Sequence, residues 1–301
     1  MIRRAALAAL VAGAGCRGTS STAQQFDGAR AHGYVVHMVD AGPRIPNTPA
    51  HRAVGDWLIA QLRQSADTVE VQEWVHVTAH GDSLHLRNIF ARFRPAEASR
   101  VLYVSHWDSK PHAESDPDVR KRRDPVPGAN DGGSSTAMLL VVAEELKKQP
   151  PVLGVDLLFV DGEDYGTFDG DSPDNLIGSR WFAHHMPAGY QPLFGVLWDM
   201  IGDFTQEFPQ EGNSLQRAPE VVERVWKAAR DIGLSRVFRD RQVGFITDDH
   251  VPLLDAGLRV IDVIDCCGDN YPPWHTTQDT ADKVSPDALA NAGKVALALV
   301  R

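Results

Sequence analysis

Cysteine is scarce: Cys16, Cys266 and Cys267 are the three in 301 residues. Cys266 and Cys267 are adjacent, so they cannot staple distant segments to each other. A strained vicinal disulfide and two free thiols both stay open for that pair. No cysteine spacing fits a structural zinc site. Basic excess is also missing, since the net charge is −10. Phosphate binding needs a basic face, so nucleic acid is not expected as a partner. The dense basic run Arg120-Lys121-Arg122-Arg123 is flanked by Asp118, Asp124, Pro125 and Pro127, and reads as a solvated loop. There is no internal repeat, no low-complexity block, and no apolar run long enough to cross a bilayer.

What is present is an ordinary folding composition, 43% hydrophobic and 23% charged. The first residues stand apart from it. Arg3 and Arg4 precede the short apolar stretch Ala5 to Ala14, and Gly13-Ala14-Gly15-Cys16 resembles a bacterial lipobox. Residues 1–16 are therefore expected to be a signal peptide with a lipid-accepting Cys16, and 17–30, small and polar, a flexible tether. Residues 31–301 are expected to form a single catalytic domain. The expected location is the bacterial periplasm or cell envelope, as an exported lipoprotein. Membrane contact is expected only through the N-terminal lipid.

Strand and helix patterns alternate along the rest. Val69 to Val77 and Leu84 to Phe93 alternate apolar and polar residues, as half-buried strands do. Val101–Val104, Val155–Val160, Leu193–Leu197 and Leu258–Ile264 are apolar runs of the kind found in doubly covered strands. Helical spacing marks Thr48–Gln64, Ser134–Lys148, Leu176–His185, Pro219–Ile232, Asp249–Ala256 and Pro286–Val300. The fold class is α/β, with a mostly parallel central sheet and helices on both faces. In such sheets ligands gather beyond the carboxyl ends of the strands.

Each apolar run delivers an acid or a histidine at that place. His106 and Asp108 follow the first, and a loop ending in Asn130-Asp131-Gly132 follows them. Glu163-Asp164 follows the second, Asp199 the third, and Trp274-His275 a loop after the fourth. Singly these signals are weak. His106-x-Asp108 could be structural, Asp131 could cap the next helix, and Glu163-Asp164 could be a solvated turn. His37, His112, His184 and His185 have no partner pattern and read as surface or core polar residues. The set as a whole offers only carboxylate and imidazole donors, the ligands zinc takes. Adjacent Glu163 and Asp164 leave a strand in different directions, so one can bind metal while the other faces substrate. A carboxylate free of the metal can carry a proton.

In this order the segments His106-Trp107-Asp108-Ser109-Lys110, Gly128-Ala129-Asn130-Asp131, Asp161-Gly162-Glu163-Asp164, Asn175 to Arg180, Trp198 to Gly202, Asp248 to Leu253 and Trp274-His275-Thr276 resemble the zinc-dependent glutaminyl cyclases. Those enzymes belong to the zinc aminopeptidase superfamily. The resemblance runs from about Thr48 to the C-terminus. It implies that Asp131, Asp164 and His275 hold zinc and that Glu163 is the general acid/base. Asp199 and Asp248 would hydrogen-bond around that glutamate and the substrate amine, and Trp274 would wall the pocket. The implied reaction closes an N-terminal glutamine of a peptide or protein to pyroglutamate and releases ammonia. Asp164 is one methylene shorter than the glutamate common there, and a tryptophan of the animal cyclases is missing after it, where Phe168 could serve as the aromatic surface. The superfamily's two-zinc aminopeptidases offer a second reading, in which His106, Asp131 and Asp199 hold another zinc. A tethered peptide-binding protein without activity is a third.

Overall fold

Alternate residues of the apolar runs part to opposite faces, and this fixes the layers. In a computed structural model of the chain, residues 26–167, 172–265 and 270–301 are described. The elements are α1 (Gly28–Asp40), α2 (Pro49–Ser65), β1 (Thr68–Val77), β2 (Ser83–Phe93), β3 (Arg100–His106), α3 (Gly133–Lys148), β4 (Gly154–Val160), α4 (Ile177–His184), β5 (Phe194–Asp199), β6 (Phe208–Gln210), α5 (Gly212–Arg217), α6 (Pro219–Asp231), β7 (Phe238–Gln242), α7 (His250–Asp255), β8 (Val260–Ile264) and α8 (Pro286–Ala298). A six-stranded sheet has the order β1-β2-β4-β3-β5-β8. β1 pairs with β2, and β2 with β4, antiparallel; β3, β4, β5 and β8 are parallel to one another. Val101, Tyr103, Leu157, Phe159, Val196 and Trp198 point into the larger core with α1, α2, α3, α6 and α8. Leu102, Val104, Leu158, Val160 and Leu197 meet Phe182 of α4 and Leu253 of α7 on the other face. Both faces are thus covered, which is why these strands read as mainly apolar runs, interrupted by the buried Asp156 of β4 and Asp262 of β8.

The expected tether is too long at its inner end. Asp27 accepts from the Arg30 amide at 2.8 Å and caps α1, which begins at Gly28. Phe26 is buried, and its ring lies where a Cβ on Gly293 of α8 would fall, 2.3 Å away. Only glycine lets the two segments approach this closely. Residues 26–30 therefore belong to the domain. The helix α1 and the short parallel pair β6–β7 were not expected from the sequence. Because β3, β4, β5 and β8 run parallel, their carboxyl ends open on one edge of the sheet, and the acids and histidines gather there.

Candidate active site

His106 closes β3 and is 1% exposed. Its Nε2 lies 3.0 Å from Asp131 Oδ1 and 3.1 Å from Asp199 Oδ1, at the end of β5. Its Nδ1 stands 3.5 Å from Asp108 Oδ1 and 3.6 Å from Glu163 Oε2, too far for a hydrogen bond. The loop from Trp107 to Gly132 is shaped from below by Arg44. This fully buried guanidinium donates to the carbonyls of Trp107 at 2.8 Å, Pro127 at 2.9 Å and Gly128 at 2.6 Å. Asp131 does not cap α3: Gly132 is the N-cap, and no side chain caps that helix. A Cβ on Gly132 would sit 2.7 Å from the His106 ring, at φ +69. Asp279 holds the Asp131 turn by accepting the amides of Asn130 at 2.8 Å and Asp131 at 3.2 Å.

Asp108, read from sequence as a weak signal, has a defined task. Its two oxygens accept the amides of Glu163 and Asp164, each at 3.2 Å. The pair is thus pinned where it leaves β4. Asp164 Oδ1 lies 3.3 Å from His275 Nε2 and 3.7 Å from Lys110 Nζ. Asp131 Oδ2 lies 3.5 Å from the same His275 nitrogen. Ligands on tetrahedral zinc at bond lengths of about 2.0–2.1 Å stand ~3.3–3.4 Å apart. The His275 separations of 3.3 and 3.5 Å lie close to that spacing, and those of His106 to Asp131 and Asp199 are somewhat shorter, at 3.0 and 3.1 Å. His106, Asp131 and Asp164 also offer ligand atoms within 4.8 Å of one another. Asp131 Oδ2 and Asp164 Oδ2 are buried without a hydrogen-bond partner. Such orphaned oxygens are costly unless a cation satisfies them, so the donor set fits zinc.

The acids share too little solvent to keep ordinary charges. Burial, then the charge of Asp164, pushes the Glu163 carboxyl well above its usual range, with His106 pulling the other way. Burial and Asp164 also lift Asp131, to about 7. Asp164 itself falls: burial pushes it up, but Lys110 and His275 outweigh this. Burial would lower His275, yet Asp164 and Glu114 raise it to about 9. Burial, Asp199 and Asp249 raise Asp248 far above the carboxylate range.

These groups open on a cavity of about 320 Å³. It is lined by the polar side chains of Asp131, Glu163, Asp164, Asp199, Asp248 and His275 and by the apolar ones of Met200, Phe245, Ile246, Ile264 and Trp274. Trp274 stacks on the His275 ring at 3.8 Å. The sequence-derived residues Asp131, Glu163, Asp164, Asp199, Asp248, Trp274 and His275 thus meet in one place, with His106 directly behind. Phe168 lies outside the described residues, as do Cys16, Cys266 and Cys267. Sequence reasoning missed Arg44, Glu114 and Asp279. They sit in loops, and nothing in their spacing marks them.

Carboxylates and an imidazole gathered at the tips of parallel strands, around one half-open cavity, define a zinc-dependent α/β enzyme of the exopeptidase type. The chain belongs to peptidase family M28, whose sequence model matches residues 88–300. Within it, the chain is similar along most of its length to glutaminyl cyclases. The glutaminyl cyclase of Bacteroides thetaiotaomicron is 35% identical, with a TM-score of 0.89 over 93% of this chain and 99% of that one. A zinc-dependent exopeptidase from Parabacteroides distasonis is 36% identical, with a TM-score of 0.88 over 93% and 99%. The glutaminyl-peptide cyclotransferase of Bos taurus is 29% identical over 84% of this chain and 76% of its own length.

Proposed function

We propose that this chain is a glutaminyl-peptide cyclotransferase, converting an N-terminal glutamine of peptides or proteins to pyroglutamate with release of ammonia. The observation that carries the reading is the position of Glu163. It lines the same cavity as Asp131, Asp164 and His275 but stands apart from their mutual contacts. Asp131, Asp164 and His275 are the zinc ligands. Bound zinc supplies the positive charge that keeps its carboxylate ligands ionised and polarises the γ-carboxamide oxygen of the substrate. The substrate's α-amine nitrogen bonds to the carboxamide carbon, and the bond from that carbon to the amide nitrogen breaks. Glu163 accepts a proton from the attacking nitrogen and delivers it to the departing one, which leaves as ammonia. Its raised proton affinity favours taking the proton from the amine. Asp199 and Asp248 orient the amine and the glutamate. The apolar wall around Trp274 excludes water and holds the folded, ring-closing conformer. No water is consumed.

The aminopeptidase reading has in its favour the cluster of His106, Asp131 and Asp199 and the likeness to a zinc-dependent exopeptidase. We read the 3.0 and 3.1 Å contacts of His106 as hydrogen bonds and assign one zinc per chain. Zinc content together with mass spectrometry of a Gln-initiated peptide tests both. Loss of one ammonia with one zinc is the expected outcome. Release of a free first residue, or two zincs per active chain, would overturn it. Arg3-Arg4, the apolar stretch and Cys16 support export with a lipid on Cys16, which mass analysis of the mature N-terminus checks.

A further inference from the structure

His275 is held in an unfavourable backbone conformation, φ +53, by a loop that sequence reasoning did not single out. Non-glycine residues pay for that conformation and keep it only where their surroundings fix it. The fixing comes from Glu114, Ser115 and Asp116, in the loop between β3 and α3. The Ser115 amide donates to the His275 carbonyl at 3.1 Å. Two residues on, Thr277 donates its amide at 3.1 Å and its hydroxyl at 2.7 Å to Asp116 Oδ2. Between these backbone ties, Glu114 Oε1 lies 2.8 Å from His275 Nδ1. With a carboxylate there, Nδ1 carries the hydrogen, and the lone pair of Nε2 faces Asp131 and Asp164. Lys110 closes the ring of contacts, with Nζ 3.5 Å from Glu114 Oε1 and 3.7 Å from Asp164 Oδ1.

We infer that Glu114 is a positioning residue for the metal centre: it fixes the tautomer and the ring orientation of His275, with Ser115 and Asp116 clamping the backbone on its C-terminal side. A carboxylate behind a metal-binding imidazole raises the basicity of the ligand nitrogen and typically governs affinity 10–100-fold. Glu114 is suited to the task without being part of the core, because its side chain is 48% exposed and it lies outside the cavity lining. The inference rests on His275 being a zinc ligand, so the experiment includes that residue.

Zinc dissociation constants are measured on the full chain by competition with a chromophoric chelator, for the parent, Glu114→Ala, Glu114→Gln and His275→Ala. The unfolding midpoint of each zinc-free protein is recorded alongside. Glu114→Ala should weaken zinc by roughly 10–100-fold while the zinc-free protein stays folded, its midpoint lowered only by loss of the Glu114–His275 pair, and turnover of a Gln-initiated peptide should recover as free zinc is raised. Glu114→Gln keeps an acceptor but not the charge, and should fall between. Zinc affinity in both Glu114 variants within twofold of the parent, with His275→Ala defective, overturns the positioning role and leaves the ligand assignment standing. A zinc-free midpoint that falls with Glu114→Ala while affinity per folded molecule holds overturns it as well, by making the role purely structural. Unimpaired zinc binding by His275→Ala overturns the ligand assignment and this inference with it.

Discussion

Replacing Asp108 with asparagine exchanges one carboxylate oxygen for an amide nitrogen and leaves the side-chain shape intact. In the parent, the two oxygens receive the amides of Glu163 and Asp164, both at 3.2 Å. Asparagine can satisfy one of them. The other would face an NH2 group, so one buried amide loses its acceptor. A hydrogen bond to a charged group contributes about 1.5–3 kcal/mol, and an unsatisfied buried donor costs about 1–3 kcal/mol. One compensation runs the other way. Asp108 adds to burial in pushing up the carboxyls of Asp161 and Asp249, and removing its charge relieves both. A net loss of about 2–4 kcal/mol follows, or roughly 4–16 °C in the unfolding midpoint at ~2–4 °C per kcal/mol for a domain of this size. Turnover should suffer more than stability alone implies, because Glu163 and Asp164 move together. A displacement of about 1 Å at the reacting groups is enough for a roughly 100-fold loss. Calorimetry and kcat/KM on a Gln-initiated peptide, both at saturating zinc, read the two effects. A midpoint within 1–2 °C of the parent and kcat/KM within about twofold would refute the argument, since the turn would then be fixed by something other than Asp108. A lowered midpoint with full kcat/KM would refute its catalytic half.

Glu163→Gln removes the proton carrier and nothing that touches Asp131, Asp164 and His275 directly. Turnover should fall by about 10²–10⁴-fold while zinc content is unchanged, and full activity would end the assignment. Acid stability gives a further check at a group outside the cavity lining. Burial pushes the Glu211 carboxyl up, but His250 and the amides of Ile246 and Ser214 outweigh this and bring it down to about 2. A carboxyl lower in the folded than in the unfolded chain stabilises above the unfolded value and loses that contribution as pH falls through the folded one. Glu211→Gln should therefore be less stable than the parent at pH 7. The difference should shrink between about pH 4.5 and pH 2, where the parent loses its advantage, as urea unfolding across that range would measure. A gap that stays constant with pH would contradict the assignment of that stability to charge.

The central strands were readable because burial on both faces leaves mainly apolar residues in β3, β4, β5 and β8, with Asp156 and Asp262 the charged interruptions inside β4 and β8. The donors were readable because parallel topology forces each strand's carboxyl end to the same edge. What escaped had no local signature. Phe-Arg-Asp-Arg-Gln in β7 is exposed after its first residue, and becomes a strand only by pairing with β6. In α1, Ala31, Val35 and Met38 do recur at helical spacing, but they follow a polar stretch that masks where the domain starts. Asp279 serves Asp131 across 148 residues of chain, and Glu114 serves His275 across 161. Such partnerships are properties of loops that exist only once the sheet has brought their anchors together.

Backbone strain makes the same point more sharply. Among the described residues, five non-glycine positions have positive φ: Asn47, Arg94, Leu176, Met200 and His275. Met200 and His275 line the cavity, and the Leu176 amide donates to the Glu163 carbonyl at 3.0 Å. Three of the five thus act on the residues assigned to chemistry. Leu176 and Met200 are not residue types that favour this conformation, and His275 takes it up less freely than glycine would, so local preference opposes the site at each of them. The opposition has to be met by contacts from elsewhere. At His275 these are the Glu114–Asp116 clip and the Trp274 stack. It follows that the spacing of His275 to Asp131 and Asp164 is set by the loops around the histidine. The clip should therefore weaken zinc binding when it is cut, even though it contributes no ligand.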